Sequence, residues 1–372
     1  LKATFNRKRL LDAFATVSSV APTRSPKPIL QNVLMTIEGT EATLIGTDLE
    51  IGVRKTIECV QSERDGAVIL PTDRFSSILR TSSDETIDIE TDGEKIVVKT
   101  RSGKFTLNAE DPALFPDVQA FDAEAYAVLV DTDLSQLIRR TSYATDTETA
   151  RYALGGALIE FEDASVALVA TDGRRLARAV YPAEYVGDAR STSQSVVPVK
   201  ALKLIDRSLP ANGSQVHLAV QAGRAVMVRT EDATIYARLV EGRYPRYQEV
   251  IPTSVEHRVT LKAGPFRAAV EQAAVCLDQT SKGVLMSFGE DKVELSATTA
   301  DVGESRVVLP YPAESPGVDV KVILDASYAL DLLKSVDADT EIVVGLSGPE
   351  IPVEFRDGDR LTAVIMPLSR DK

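Results

Sequence analysis

Three carboxylates stand in similar surroundings along the chain. Asp48 lies in Leu44-Ile45-Gly46-Thr47-Asp48-Leu49-Glu50, and Asp172 in Leu168-Val169-Ala170-Thr171-Asp172-Gly173-Arg174-Arg175-Leu176. Asp301 lies in Leu295-Ser296-Ala297-Thr298-Thr299-Ala300-Asp301-Val302-Gly303. Convergent carboxylates can hold Mg²⁺ or act as acid and base. However, Thr47, Thr171 and Thr298 are separated by 124 and 127 residues, a domain-sized interval. One acid per interval, each at a hairpin corner, is not a convergent set. The remaining reactive side chains are sparse. His217 and His257 sit alone in strand-like stretches, and Cys59 and Cys276 form no C-x-x-C motif and read as buried free thiols. No phosphate loop, G-x-S-x-G, H-E-x-x-H or dinucleotide fingerprint is present. The expectation is a non-enzyme with no cofactor and no metal. The three acids read as turn formers, because Asp hydrogen-bonds its own backbone and Gly accepts positive φ.

The elements that carry these corners repeat. With 372 residues the chain suits two or three cores. Each third runs strand, helix, three strands, helix, three strands. The strand 2–6 precedes a helix over 7–19 with Leu10, Leu11, Phe14 and Val17 on one face. Strands are expected at 29–37, 42–47 and 51–60, then a helix over 72–82 and strands at 86–90, 95–100 and 103–108. The second third has a strand at 125–130 and helices over 132–143 and 198–209. The third starts at His257 and has helices over 262–276 and 325–336. Arg243-Tyr244-Pro245 falls where Leu114-Phe115-Pro116 fell. The reading is an α+β chain of three tandem similar domains, 1–118, 125–250 and 257–372. In each, two helices pack on antiparallel sheets.

Net charge is −13, which opposes nucleic-acid binding by bulk attraction. The distribution is uneven. The six helical segments hold 13 Lys and Arg against 7 Asp and Glu, so the acid lies outside them. Placed on one side, Arg7, Lys8, Arg74, Arg80, Arg139, Arg140, Lys200, Lys203, Arg207 and Arg267 form a basic lining. Such a lining suits a phosphate backbone, without sequence readout. No apolar run reaches the roughly 20 residues of a membrane span. The first residues have no signal-peptide h-region, so the cytoplasm is the expected compartment.

These stretches, with Arg151-Tyr152-Ala153-Leu154-Gly155-Gly156, Gly242-Arg243-Tyr244-Pro245 and the terminal Met366-Pro367, resemble the bacterial DNA polymerase III beta subunits, the sliding clamps. The resemblance runs end to end. It implies the DNA-clamp fold and a head-to-tail homodimer closed into a ring around double-stranded DNA. The partners implied are the polymerase III catalytic subunit, a clamp loader and other proteins carrying a clamp-binding motif. For DNA, the matching positions are Arg24, Arg151, Tyr152 and Lys200. A partner-peptide pocket is implied at Leu154, Thr171, Gly173, Arg174, Arg175, Leu176, Pro245, Val250, Val364, Ile365, Met366 and Pro367. Apolar walls there would accept Leu or Phe anchors. In the dimer, Phe105 and Leu107 would meet Val275 and Cys276, and 104–107 reads as an edge strand that pairing would protect. Two positions depart from the family pattern. Arg174 stands where His is frequent, and five residues follow Met366-Pro367. The rival reading is a peptide-binding adaptor that does not encircle DNA.

Overall fold

The computed structural model describes residues 1–146, 153–189, 194–221, 223–278, 282–312 and 318–369. Six α-helices follow the expected order: α1 (Arg7–Ser18), α2 (Thr72–Thr81), α3 (Asp131–Arg139), α4 (Val199–Ser208), α5 (Ala263–Ala273) and α6 (Ala326–Lys334). Their starts follow from local chemistry. The Asn6 side chain accepts from Arg9 N at 3.1 Å, and Asp325 Oδ1 accepts from Ser327 N at 2.8 Å, each satisfying a first-turn amide. Buried faces follow the 3.6 period, with Leu10, Ala13, Phe14 and Val17 on α1 and Phe75, Ile78 and Leu79 on α2. Phe14 and Phe75 meet edge to face at 4.9 Å. None of the described helices is long and apolar enough to cross a membrane.

The chain packs into two compact units. The first comprises 1–132, 184–189 and 200–239; the second comprises 133–183, 190–199 and 240–372. These limits cut through the middle repeat because sheets are shared between successive repeats. In the first unit, a nine-stranded sheet joins four strands of the first repeat to five of the second. The join is Ile51–Glu58 against Ala233–Arg238, antiparallel, with Gly52 opposite Tyr236. In the second unit, an eight-stranded sheet joins Arg175–Pro182 to Leu361–Ile365, with Leu176 opposite Val364. A five-stranded sheet completes the first unit and a four-stranded sheet the second.

Three expectations change. Residues 29–31 are not strand: Pro28–Gln31 is a 3₁₀ turn and the strand starts at Asn32. Pro28 fixes φ and lacks an amide, and Leu30 N donates to Lys27 O at 3.1 Å. The strand expected to run to 60 ends at Glu58, and two further strands, Gln61–Arg64 and Gly66–Pro71, follow. The first of these is polar and mostly exposed, so no alternation marks it. In the third repeat the buried corner threonine is Thr299, not Thr298. Thr299 is 7% exposed, like Thr171 at 7% and Thr47 at 4%.

Candidate functional site

The Thr-Asp corners set the backbone from which the site is built. Thr171 Oγ1 donates to Arg175 O at 2.7 Å and accepts from Gly173 N at 3.0 Å. Asp172 Oδ1 accepts from the amides of Arg174 and Arg175, each at 2.9 Å. The carboxylate is thus spent on the turn, with Gly173 at φ +85°. The corner launches Arg175–Pro182, and Met366 N closes the neighbouring strand onto Arg174 O at 2.9 Å. The segment after Tyr244-Pro245 lies across this strand end. Tyr244, fully buried, donates from Oη to Val169 O at 2.9 Å.

Between these parts lies a cavity of about 200 Å³, lined by Leu154, Thr171, Gly173, Arg174, Arg175, Leu176, Pro245, Tyr247, Val250, Val364 and Met366. Its floor is also core: Leu154, Leu176 and Val364 are 7%, 2% and 1% exposed and pack with Tyr244 and Tyr247. Val250 and Met366, at 44% and 38%, form an apolar rim. Isolated surface apolar residues are common, but a rim continuous with an apolar cavity is the signature of a docking site.

Arg175 is the wall's charged member. It donates from Nε to Asp172 at 3.0 Å and from Nη1 to Asp331 at 2.7 Å. Its guanidinium lies 4.4 Å from the Tyr328 ring centroid and 5.5 Å from that of Tyr143. Burial opposes its charge, and the bonds to Asp331 and Asp172 outweigh burial and raise its pKa. It is therefore a fixed cation. Tyr247 donates to Glu160 Oε2 at 2.5 Å, and burial together with that carboxylate pushes its phenol up to about 12.

The structure gathers ten of the twelve expected pocket residues. Ile365 is in the strand between Val364 and Met366, and strand alternation turns it to the opposite face, where it is 2% exposed. Pro367 follows the strand and does not line the cavity. Tyr247 was not anticipated. Its signal was an aromatic two residues past Pro245 in the segment that crosses the strand end.

The expected cationic surface is partly redistributed. Arg24, Arg74, Arg80, Arg139, Lys200, Lys203 and Arg207 are exposed. Lys200 holds Asp48 at 2.5 Å. Arg151 and Tyr152 lie outside the described residues. Arg140 is not a surface cation: it is 5% exposed and donates to Asp357 at 2.6 Å and to Gln136 at 3.2 Å. The chain leaves α3 at Arg139, which turns the next side chain inward. Arg7 donates to Leu79 O and Asp84 O at 3.0 and 2.7 Å, closing the end of α2. Lys104–Asn108 is an edge strand, with Phe105 38% exposed and Leu107 half-buried. Val275 is 73% exposed, and Cys276 is half-buried with a free thiol.

Nothing in the described residues groups three or more His, Cys, Asp or Glu as a metal would need. Asp48 caps its own corner as Asp172 does, at 3.0 and 2.7 Å to the amides of Glu50 and Ile51. Burial opposes its charge, yet Lys200 and those amides hold its carboxyl below the usual range.

Family models of the DNA polymerase III beta subunit match nearly the whole length. The N-terminal domain model matches residues 1–119, the central domain model 129–246 and the C-terminal domain model 248–369. The beta sliding clamp of Escherichia coli K12 is 26% identical over 371 residues, covering 99% of this chain and 100% of that one. That of Pseudomonas aeruginosa is 26% identical over 367 residues, covering 98% and 99%. A crystal structure of a Pseudomonas aeruginosa sliding clamp bound to griselimycin superposes with a TM-score of 0.91 at 25% identity, covering 99% of each chain. The Bacillus subtilis clamp gives a TM-score of 0.90 at 23% identity, again covering 99% of each chain. With three domain models matched in order and a fold shared over its full length, this chain belongs to the DNA polymerase III beta subunit family, the sliding clamps.

Proposed function

We propose that two copies of this chain close head to tail into a ring around duplex DNA and tether a replicative polymerase. One observation carries the ring. Both sheet joins within the chain use the same two strands of the repeat. The strand after the Thr-Asp corner of one repeat pairs with the last strand of the next: 51–58 with 233–238, and 175–182 with 361–365. The third such pair is Gly303–Pro310 and Lys104–Asn108, and each is a sheet edge. Pairing them between two copies would join a four-stranded sheet to a five-stranded one. The product has nine strands, as in the first unit. Exposed Phe105 on one edge and exposed Val275, Val302 and Val308 near the other supply apolar contact.

Within the ring the chain performs no catalysis and acts by topology. Exposed Arg24, Arg74, Arg80, Arg139, Lys203 and Arg207, with ion-paired Lys200, contact phosphates without reading bases. The 200 Å³ pocket takes Leu or Phe anchors of short segments in the polymerase III catalytic subunit, the clamp loader and other clamp-binding proteins. The working compartment is the cytoplasm.

The test is topological. Protein loaded on nicked circular DNA is freed of unbound protein by gel filtration, and the circle is then cut. Retention on the circle with release after cutting is expected. Equal retention on linear DNA, or none on the circle, returns the reading to a peptide-binding adaptor.

A further inference from the structure

The geometry points to a second docking groove at the other sheet join, built like the apolar pocket but selecting an extended peptide segment of mixed charge. The parallel with a peptide pocket rests on the function proposed above; the groove itself stands on its own geometry.

The corner beside it copies the first in the bonds that close its backbone. Thr47 Oγ1 donates to Ile51 O at 2.7 Å and accepts from Leu49 N at 2.9 Å. Arg238 N closes onto Glu50 O at 2.9 Å, as Met366 N closes onto Arg174 O. The segment after Phe115-Pro116 lies against this strand through Val118 at Gly52 and Arg54, as the segment after Tyr244-Pro245 lies against the other beside Leu176 and Val364. A cavity of about 700 Å³ results, whose walls include Asp117, Gln119, Asp122, Arg224, Tyr236 and Arg238.

Its chemistry differs for a physical reason. Where the apolar pocket has Leu176, this join has Gly52, and a Cβ there would meet Val118 Cγ1 at 2.5 Å. Val118, 5% exposed, fills the floor, so a Leu or Phe anchor has no hole to enter. What remains is a polar trough with charges of opposite sign on its two walls. Asp117 and Asp122 lie on the crossing segment, and Arg224 and Arg238 lie on the sheet side. Arg238 reaches Glu50 only at 3.4 Å with both side chains well exposed, and Asp122 accepts from Gln119. Neither Arg224 nor Asp117 has a side-chain partner among the described residues.

The backbone favours an extended occupant. No backbone–backbone hydrogen bond engages residues 117–122 among the described residues; only Val118 O is used, by Arg54 Nη1 at 3.1 Å. An extended segment with open amides and carbonyls beside a groove invites strand addition, and alternate side chains then supply selectivity. The corresponding crossing segment of the apolar pocket closes on itself instead, through Tyr247 N to Pro245 O at 2.9 Å. The occupant is therefore a partner's extended segment that places a carboxylate toward Arg224 and a Lys or Arg toward Asp117.

The probes are two heptapeptides built on Ser, Thr and Val. One carries Glu and Lys at adjacent positions, which an extended strand turns to opposite sides, and the control carries Gln at both places. Each is titrated into the full-length protein and followed by the methyl resonances of Leu49 and Val118. Saturable shifts are expected with the charged probe and at least about tenfold weaker binding with the control. The double variant R224E/D117K should lose the charged probe and accept the one with Glu and Lys exchanged; both positions are exposed, and circular dichroism checks the fold. No saturable shift up to about 1 mM, equal binding of the neutral control, or failure of the charge exchange overturns the groove. A peptide with Leu and Phe anchors is titrated in parallel and read at the Leu176 and Val364 methyls. Its failure alone overturns the apolar pocket and leaves the groove intact.

Discussion

Leu49 and Gly173 occupy the same place in two copies of one turn, at φ +79° and +85°. Glycine accepts this conformation without strain, whereas an L side chain loses about 1–2 kcal/mol there. The Leu49 side chain is 42% exposed and recovers little by burial. Leu49→Gly also adds unfolded-chain entropy, about 0.5–1 kcal/mol, so the net expectation is a stabilisation of about 0.5–1 kcal/mol. Urea denaturation measures it, and a loss of stability would mean that the leucine packs usefully. His217 gives a pH prediction. Its ring stacks on Tyr126 at 4.6 Å, and Arg229 Nη2 lies 2.6 Å from Nδ1. A guanidinium only donates, so Nδ1 accepts and the ring is neutral. Burial and Arg229 lower its pKa in the fold. The unfolded chain therefore takes the proton first as pH falls. The contribution to stability is complete above the ordinary value of about 6.5 and is lost progressively below it, down through the folded-state pKa. In His217→Gln the part of the stability slope below pH 6.5 due to this residue should vanish. The turn chemistry of Thr47 and Asp48 was legible in the sequence, because those side chains act on their own backbone. The burial of Arg140 was not, because its direction depends on how the chain leaves α3.

At the scale of elements, the helices are legible in the sequence and short polar strands are not. α1 and α2 announce themselves by apolar spacing, while Gln61–Arg64 has no alternation to read. The pocket was legible only in part. Its corner and strand end repeat a motif, but the floor is shared with the core, and sequence alone cannot separate a core leucine from a pocket leucine. Leu176 and Met366 should separate on substitution. Met366→Ala removes a rim side chain that is 38% exposed. It should weaken a Leu- and Phe-bearing peptide about tenfold with little change in stability. Leu176→Ala, from a side chain 2% exposed, should weaken the peptide and also destabilise the fold by about 2–4 kcal/mol. Calorimetry with each variant, beside thermal melts, checks both. A Met366→Ala protein with unchanged affinity would remove the rim from the site.

For the whole molecule, the repeats explain why two compact units arise from three domains. Each join spends one strand edge of a repeat on the next, so a core boundary and a repeat boundary no longer coincide. The charge follows a similar division, with the helices basic and the remainder of a −13 chain acidic. In the proposed ring, an acidic exterior would disfavour DNA outside, and a modest set of cations facing the duplex would leave the hold weak enough to slide. On that proposal retention comes from closure, and closure uses the two remaining edges. Leu107 lies in the Lys104–Asn108 edge strand, half-buried. Leu107→Asp places a charge where the partner's 303–310 strand and Val275 are expected. Because the side chain is already half open, the monomer should fold normally. The sedimentation profile should shift from dimer to monomer, and the variant should no longer remain on circular DNA while still binding the Leu- and Phe-bearing peptide. A dimer of unchanged stability would mean that the ring closes through other strands. Loss of peptide binding along with the dimer would instead point to misfolding, which the thermal melt of the same sample distinguishes.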